Sequence, residues 1–345
     1  MSELSDEIVV WQIEHGRHDL PWQLNRTPYS VWVSEIMLQQ TQVITAINYF
    51  NNFIDVFPNV LSLARATEDD VLKQWSGLGY YSRARNLLKS ARLIVNFHAG
   101  AIPSDYQALM NLPGIGRSTA GAILSLAYKK KYPILDGNVK RVLARVFRIS
   151  GPTNAAPVMR TLWLTAEQLL PDQNVHIYTQ GLMDLGATVC SRRNPNCAIC
   201  PLSRRCRALL DSVIEKYPAP NKKRASVKKT IYMVIFFRNQ KILLKKGSGK
   251  GLWPGLWGFF DSHELPEDAL HQTLRELNLR MESVSFLESF QHQLSHINYL
   301  VQPVKVHVSP PSAQAESSGI KWINLADFSQ LPISVPVRKI IDSLR

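Results

Sequence analysis

Long apolar runs are missing from this 345-residue chain. The most apolar stretch, around Ala120–Tyr128, is too short to cross a bilayer, and Lys129, Lys130 and Lys131 follow it at once. No membrane span is therefore expected. The opening Met1-Ser-Glu-Leu-Ser-Asp-Glu is acidic, unlike a secretory signal, so the expected location is the cytoplasm. Cysteine is scarce too: there are four, all between Cys190 and Cys206. A disulfide-stapled chain spreads its cysteines across the fold, so four in one window point to a single metal centre. Acidic residues are outnumbered, 27 against 40 Lys and Arg, giving a net charge of +13. That excess favours a polyanionic partner, nucleic acid or an anionic membrane. No internal repeat is visible. With 45% apolar residues the chain reads as an ordinary globular protein long enough for two or three domains.

Up to about Tyr217 the apolar spacing is helical. It predicts helices over Ser34–Tyr49, Thr67–Trp75, Tyr81–Phe97, Arg117–Tyr128, Asn138–Arg148 and Met159–Leu170, with Pro, Gly or Asn in the breaks. Residues 218–229, with two prolines and five basic residues, read as an exposed basic linker. Beyond it the texture changes to strands at Thr230–Phe237, Lys241–Leu244, Phe286–Phe290, Ile297–Val308 and Ile320–Ile323, with one helix at Glu267–Asn278. The expected organisation is a mainly α region over 1–217 and an α+β domain over 230–345.

The cysteines follow the pattern Cys190-x6-Cys197-x2-Cys200-x5-Cys206. Four thiolates this close suit zinc or a four-iron cluster. Zinc ribbons usually pair two Cys-x2-Cys knuckles, and this chain has one. Upstream, Leu112-Pro113-Gly114-Ile115-Gly116-Arg117-Ser118-Thr119-Ala120 joins two helical stretches. Gly114 and Gly116 permit a tight turn, and the next helix offers free N–H groups to a phosphate. An ordinary turn between packed helices is equally compatible with that text alone. Asp136, in Leu135-Asp136-Gly137-Asn138-Val139, sits where a helix N-cap belongs. Glu35, in Ser34-Glu35-Ile36-Met37-Leu38-Gln39-Gln40-Thr41, shares a polar stripe with Gln39 and Gln42 beside an apolar one of Trp32, Ile36, Val43 and Ile47. Periodicity alone turns that polar stripe to water.

Taken together and in order, Leu20-Pro21-Trp22, Trp32 to Thr41, Leu112 to Ala122, Leu135 to Arg145 and Gly181 to Cys206 resemble adenine-specific DNA glycosylases of the MutY type. The resemblance covers nearly the whole chain. It implies a helix-hairpin-helix DNA glycosylase fold, with the hairpin at about 108–128 and an iron–sulfur loop at 190–206, followed by a Nudix-like domain. It implies one [4Fe–4S] cluster on Cys190, Cys197, Cys200 and Cys206, which braces a loop carrying Arg192, Arg193, Arg204, Arg205 and Arg207 toward phosphates. It makes Glu35 the catalytic acid and Asp136 the second carboxylate. Trp22, Ser118 and Gln180 fall at the base pocket. Gln40, Thr41, Leu78 and Tyr80 probe the duplex, and Gly114, Gly116 and Lys140 lie near phosphates. The implied partner of this monomer is double-stranded DNA containing A:8-oxoguanine or A:G, in the nucleoid.

Endonuclease III is similar through the hairpin and cysteines, and an endonuclease III-like glycosylase and lyase is the alternative reading. That family uses a hairpin lysine as its Schiff-base amine, and the residue here is Ser118. In the C-terminal half, Leu274-Arg275-Glu276-Leu277 lacks the glutamate cluster of Nudix hydrolases, so metal-dependent pyrophosphate hydrolysis is not expected. In the glycosylase family a Phe-Ser-His loop reads the opposite base. Leu294-Ser295-His296 stands here, with Leu in the aromatic position.

Overall fold

A computed structural model of the chain describes residues 2–220, 227–249, 251–264, 267–294, 297–309 and 319–345. Two compact units emerge. One comprises residues 1–65 and 86–222, and the other 66–85 and 223–345. The segment 66–85 therefore lies within the helical half in sequence but belongs to the second unit.

The helical half runs α1 (Ser2–His15), α2 (Pro21–Leu24), α3 (Pro28–Leu38), α4 (Val43–Val56), α5 (Val60–Arg65), α6 (Glu68–Gln74), α7 (Ser82–Phe97), α8 (Tyr106–Met110), α9 (Arg117–Ala122), α10 (Gly137–Val146), α11 (Ala156–Gln168), α12 (Val175–Asp184) and α13 (Arg207–Leu210). Local chemistry sets the starts. Thr27 caps α3 and Thr67 caps α6 by accepting an N–H from the third helical residue, and each bond is returned by Ser30 or Asp70. Helices α9 and α12 each run on into a wider π-helical turn, Ile123–Ala127 and Leu185–Val189. Such turns add a residue to the repeat and re-aim the chain that follows.

The sequence predicts one helix over Ser34–Tyr49; two form instead. Helix α3 stops at Leu38, Gln40 takes a left-handed φ of 60°, and α4 starts at Val43. The break lets each helix bury its own face: Trp32, Val33, Ile36 and Met37 on α3, and Ala46, Phe50 and Phe53 on α4. Val43 and Ile47, assigned above to the stripe of Trp32, are only half-buried. Helices α1 and α12 escape the periodicity reading altogether. They pack against each other so closely that a Cβ on Gly181 would sit 2.7 Å from Ile8 Cγ2.

The second unit is a mixed sheet between two helices. Its strands are β1 (Val227–Arg238), β2 (Lys241–Lys246), β3 (Trp257–Gly258), β4 (Phe260–Ser262), β5 (Arg280–Phe286), β6 (Phe290–Leu294), β7 (Ile297–Ser309) and β8 (Ile320–Asn324). The main order is β3-β2-β1-β7-β5, with β1 and β7 parallel in the register Val234 to Val304. Side chains of β1 alternate between faces. Ile231, Met233 and Ile235 pack with Val337, Ile340 and Ile341 of α15 (Val335–Ser343), while Val234 and Phe236 pack with Leu274 of α14 (Glu267–Glu276). Val227–Lys229 already pair with Ile297–Tyr299, so strand begins inside the span read as linker. A single strand over Phe286–Phe290 does not form. It divides into β5 and β6 opposite Pro303 of β7, which has no N–H for a continuous ladder. The Gln302 side chain donates to the Leu287 carbonyl at 2.8 Å in the gap.

Candidate active site

Three segments far apart in sequence meet around a cavity of about 320 Å³ in the first unit. That volume lies within the range of about 300–1,000 Å³ typical of small-molecule pockets. Helix α3 contributes Ser34, Glu35 and Leu38, the turn into α10 contributes Asp136 and Asn138, and α12 contributes Gln180 and Met183. Trp22, Thr41 and Ser118 also line it. The sequence-predicted pair Glu35 and Asp136, 101 positions apart, thus shares one chamber. Asp136 proves to be an N-cap as well: its Oδ1 accepts the Val139 N–H of α10 at 2.7 Å. The N-cap reading from sequence is met, and the cap places the carboxylate in the same chamber as Glu35.

The two carboxylates have unlike surroundings. Burial pushes the Glu35 carboxyl up from 4.5 to about 8, and the nearby Asp136 charge pushes the same way. Burial also raises Asp136, but hydrogen bonds from the Val139 and Asn138 N–H groups, and the charges of Arg141 and Lys140, oppose it. When two acids compete for one proton, the one without compensating donors keeps it. Glu35 is thus the better placed of the two to keep a proton, and Asp136 the better supplied with donors and cations for a charge. Of the polar stripe, Glu35 and Gln39 face this chamber, while Gln42 is exposed at the start of α4.

The hairpin is fixed to the same place. Gly114 has a φ of +83°, and a Cβ there would meet Asn86 Cβ at 2.9 Å. Gly121, one turn into the following helix, lies so near the Pro133 carbonyl that a Cβ would be 2.2 Å from its oxygen. That contact holds α9 against the chain entering Asp136. Ser118 Oγ accepts the Leu135 N–H at 3.0 Å, one residue before the carboxylate. Gly116 caps α9 with open space around it. Gly116, Gly114 and Lys140 are outside the cavity lining, as is exposed Gln40.

Trp22 is both lining and core. It is buried, and its ring packs edge-on against Phe50 at 5.3 Å. Gln180 is 7% exposed and donates through Nε2 to Asp184 Oδ1 at 3.2 Å. Arg17, Arg26 and Asn138, not singled out from sequence, also line the chamber. Asn138 could have been found, since it lies two residues after Asp136 in the quoted motif. Arg17 and Arg26 carried no such signal.

All four cysteines are free thiols lining a second cavity, whose other walls include Val142, Val146, Leu185, Val189 and Leu209. Arg145, buried at 3% exposure, donates to Cys190 Sγ at 3.3 Å and to the Ser191 carbonyl at 2.7 Å. Arg141 donates to the Cys190 carbonyl at 2.7 Å. Among the described residues, no three His, Cys, Asp or Glu side chains converge tightly enough to hold a single metal ion. Arg205, expected to face phosphate, is instead paired with Glu3 and Glu7 of α1 at 2.6 and 2.9 Å. Two acidic residues on the first helix capture it.

Leu78 and Tyr80 belong to the second unit. There they line a hollow of about 410 Å³ with Trp253, His292 and Leu294. Tyr80 has a φ of 47°, and the Arg83 guanidinium lies 5.6 Å over its ring. Ser295 and His296 lie outside the described residues.

Glu35 and Asp136 share a chamber beside the hairpin leading into α9, and the chain falls within the helix-hairpin-helix superfamily of base-excision enzymes. Residues 33–168 match the model of HhH-GPD superfamily base excision DNA repair proteins, and 231–343 match a NUDIX domain. The chain is 40% identical over 342 residues to the adenine DNA glycosylase of Buchnera aphidicola subsp. Acyrthosiphon pisum, covering 99% of this chain and 97% of that one. It belongs to the adenine DNA glycosylase family, whose members are DNA N-glycosylases. The structure of a thermostable thymine-DNA glycosylase superposes with a TM-score of 0.55 at 28% identity, over 61% of this chain and 96% of the other. An endonuclease III bound to DNA gives 0.52 at 21% identity, over 61% and 95%, a likeness of fold. Among the described residues no helix is long and apolar enough to cross a membrane.

Proposed function

We propose that this chain, acting as a monomer, hydrolyses the N-glycosidic bond of adenine mispaired with 8-oxoguanine or guanine in double-stranded DNA. The observation that carries the reading is the unequal carboxylate pair: Glu35 holding its proton to about pH 8 beside an Asp136 supplied with N–H donors and cations. Breaking the bond leaves positive charge on the sugar and negative charge on the base. Glu35 delivers its proton to adenine N7, which departs neutral. Ionised Asp136 stabilises the oxocarbenium-like sugar or attacks it transiently, and water completes hydrolysis.

Adenine must first leave the stack and enter the chamber, where Trp22 supplies an apolar wall and Gln180 a polar contact. Gln40, Thr41, Leu78 and Tyr80 meet the duplex around the vacated position. The main chain at Gly114 and Gly116 binds phosphate, as does Lys140, and Ser295 and His296 read the opposite base. Ser118, engaged by the Leu135 N–H, offers no amine for a Schiff base, so the product is an intact abasic strand.

Cys190, Cys197, Cys200 and Cys206 hold one [4Fe–4S] cluster in this reading. All four thiols line one shared apolar cavity, which lets them converge on a single group, and four cysteine ligands suit such a cluster. When bound, the cluster supplies a structural brace, and the Arg145 N–H at Cys190 Sγ compensates sulfur charge. The test is single-turnover incubation with A:8-oxoguanine and A:G duplexes, analysed with and without alkali. Adenine release, with strand breakage only after alkali, is expected from the wild type and not from Glu35→Gln. Release by that variant at near wild-type rate removes Glu35 from its role.

A further inference from the structure

One buried carboxylate decides how the chamber presents Gln180. Asp184 lies one turn beyond Gln180 on α12 and is fully buried. It accepts from Gln12 Nε2 at 3.1 Å, from the Arg17 main-chain N–H at 3.0 Å and from Arg17 Nε at 2.8 Å, and Arg17 Nη2 bonds it as well. Its remaining neighbour is Gln180 Nε2 at 3.2 Å. Each of these partners is a donor, and Asp184 serves all of them as an acceptor. An amide can turn either end toward a neighbour that both donates and accepts; beside a carboxylate it can turn only its NH2. The Gln180 carbonyl is therefore left facing away from Asp184, with Arg26 Nη2 at 3.5 Å, and both residues line the chamber of Glu35 and Asp136.

We infer that Asp184, held by Arg17 and Gln12, is a positioning residue that locks the Gln180 amide with its carbonyl toward the base. The lock makes this wall of the chamber a hydrogen-bond acceptor. It rewards a purine bearing an exocyclic amine and penalises one bearing a carbonyl at the same position, because two acceptors then face each other with no proton between them. This rests on the adenine reading above and adds to it the element that sets base preference. A Gln180 free to flip would serve both bases alike.

The experiment compares single-turnover excision of adenine, hypoxanthine and unsubstituted purine, each opposite 8-oxoguanine in the same duplex. It uses the full-length protein and the variants Asp184→Asn and Gln180→Met. Ratios between bases cancel any difference in active fraction. The wild type should disfavour hypoxanthine. Asp184→Asn, whose amide permits the flip, should lower the adenine-to-hypoxanthine ratio by about ten- to a hundredfold, the range expected when a buried polar group gains or loses its partner. Gln180→Met, similar in shape but without the amide, should relieve the hypoxanthine penalty relative to unsubstituted purine. That variant and the wild type decide the matter if Asp184→Asn does not fold. Ratios within about twofold of wild type in the folded variants overturn the inference. Failure of the wild type to release adenine from any duplex instead overturns the proposed function, so the two failures are separable.

Discussion

Glu35→Gln should cost the protein its chemistry and make it more stable. The substitution keeps the shape of the side chain and removes only its titration. In the folded chain Glu35 keeps its proton up to about pH 8, whereas the unfolded chain releases it near 4.5. Between those values the folded state binds more protons than the unfolded one. Stability contributed by this group is therefore complete at low pH and falls as pH rises, until the folded carboxyl itself ionises. At about 1.36 kcal/mol per pH unit the loss reaches about 3 kcal/mol at pH 7 and about 5 kcal/mol above pH 8, upper figures because one side of the carboxyl meets the cavity. Urea unfolding of wild type and Glu35→Gln, followed by tryptophan fluorescence from pH 5 to 9, measures the difference. The variant's advantage should widen with pH and level off above about 8. Wild-type single-turnover excision should fall about tenfold per pH unit beyond the same point, as the acid loses its proton. A stability difference that stays constant from pH 5 to 9 would show that Glu35 titrates like a surface carboxylate and refute the reasoning.

Asp136 carries two roles that substitution can separate. Asp136→Asn should retain the cap on α10 but lose most excision, while Asp136→Ala should also lose about 1 kcal/mol of stability in denaturant unfolding. Protein purified without oxygen should be yellow-brown and hold about four irons per chain by metal analysis; stoichiometric zinc would defeat the cluster assignment. Ser118→Lys places an amine in the chamber wall and should produce alkali-independent nicking, read on a denaturing gel, along with some loss of stability from the freed Leu135 N–H. A chain ending at Tyr217 strands the segment 66–85 without the rest of its unit, including buried Val71, Leu72 and Trp75. It should unfold at lower urea than the full chain, and an unchanged midpoint would show that the segment stands alone.

The parts legible from sequence were those carried by local signals. The 3.6-residue spacing of α7, α9 and α10 and the strand-like texture of β1 and β7 read directly. The turn at Gln39–Gln42 did not, because Gln39 and Gln42 continue the polar stripe of Glu35 at helical spacing and only the left-handed Gln40 interrupts it. Helix α12 was missed for a related reason: it is buried around much of its circumference, so Tyr178, Thr179, Gln180 and Leu182 show no polar face. Family likeness named Glu35 as the acid and Asp136 as the second carboxylate; what the structure adds is the set of N–H donors at Asp136, which no spacing reveals. Asp184 was invisible because its importance lies in partners 167 and 172 positions away.

The placement of residues 66–85 also bears on how the protein is made. This short segment leaves the ribosome well before residue 223, the start of the remainder of its unit. At about 5–20 residues per second, the wait is roughly 7 to 30 seconds. Throughout that interval its neighbours on both sides in sequence belong to a unit whose chain is nearly complete, while Val71, Leu72 and Trp75 have nothing of their own unit to close on. The nascent helical half must therefore hold an unfinished apolar loop, a natural place for a chaperone to bind and for misassembly to begin.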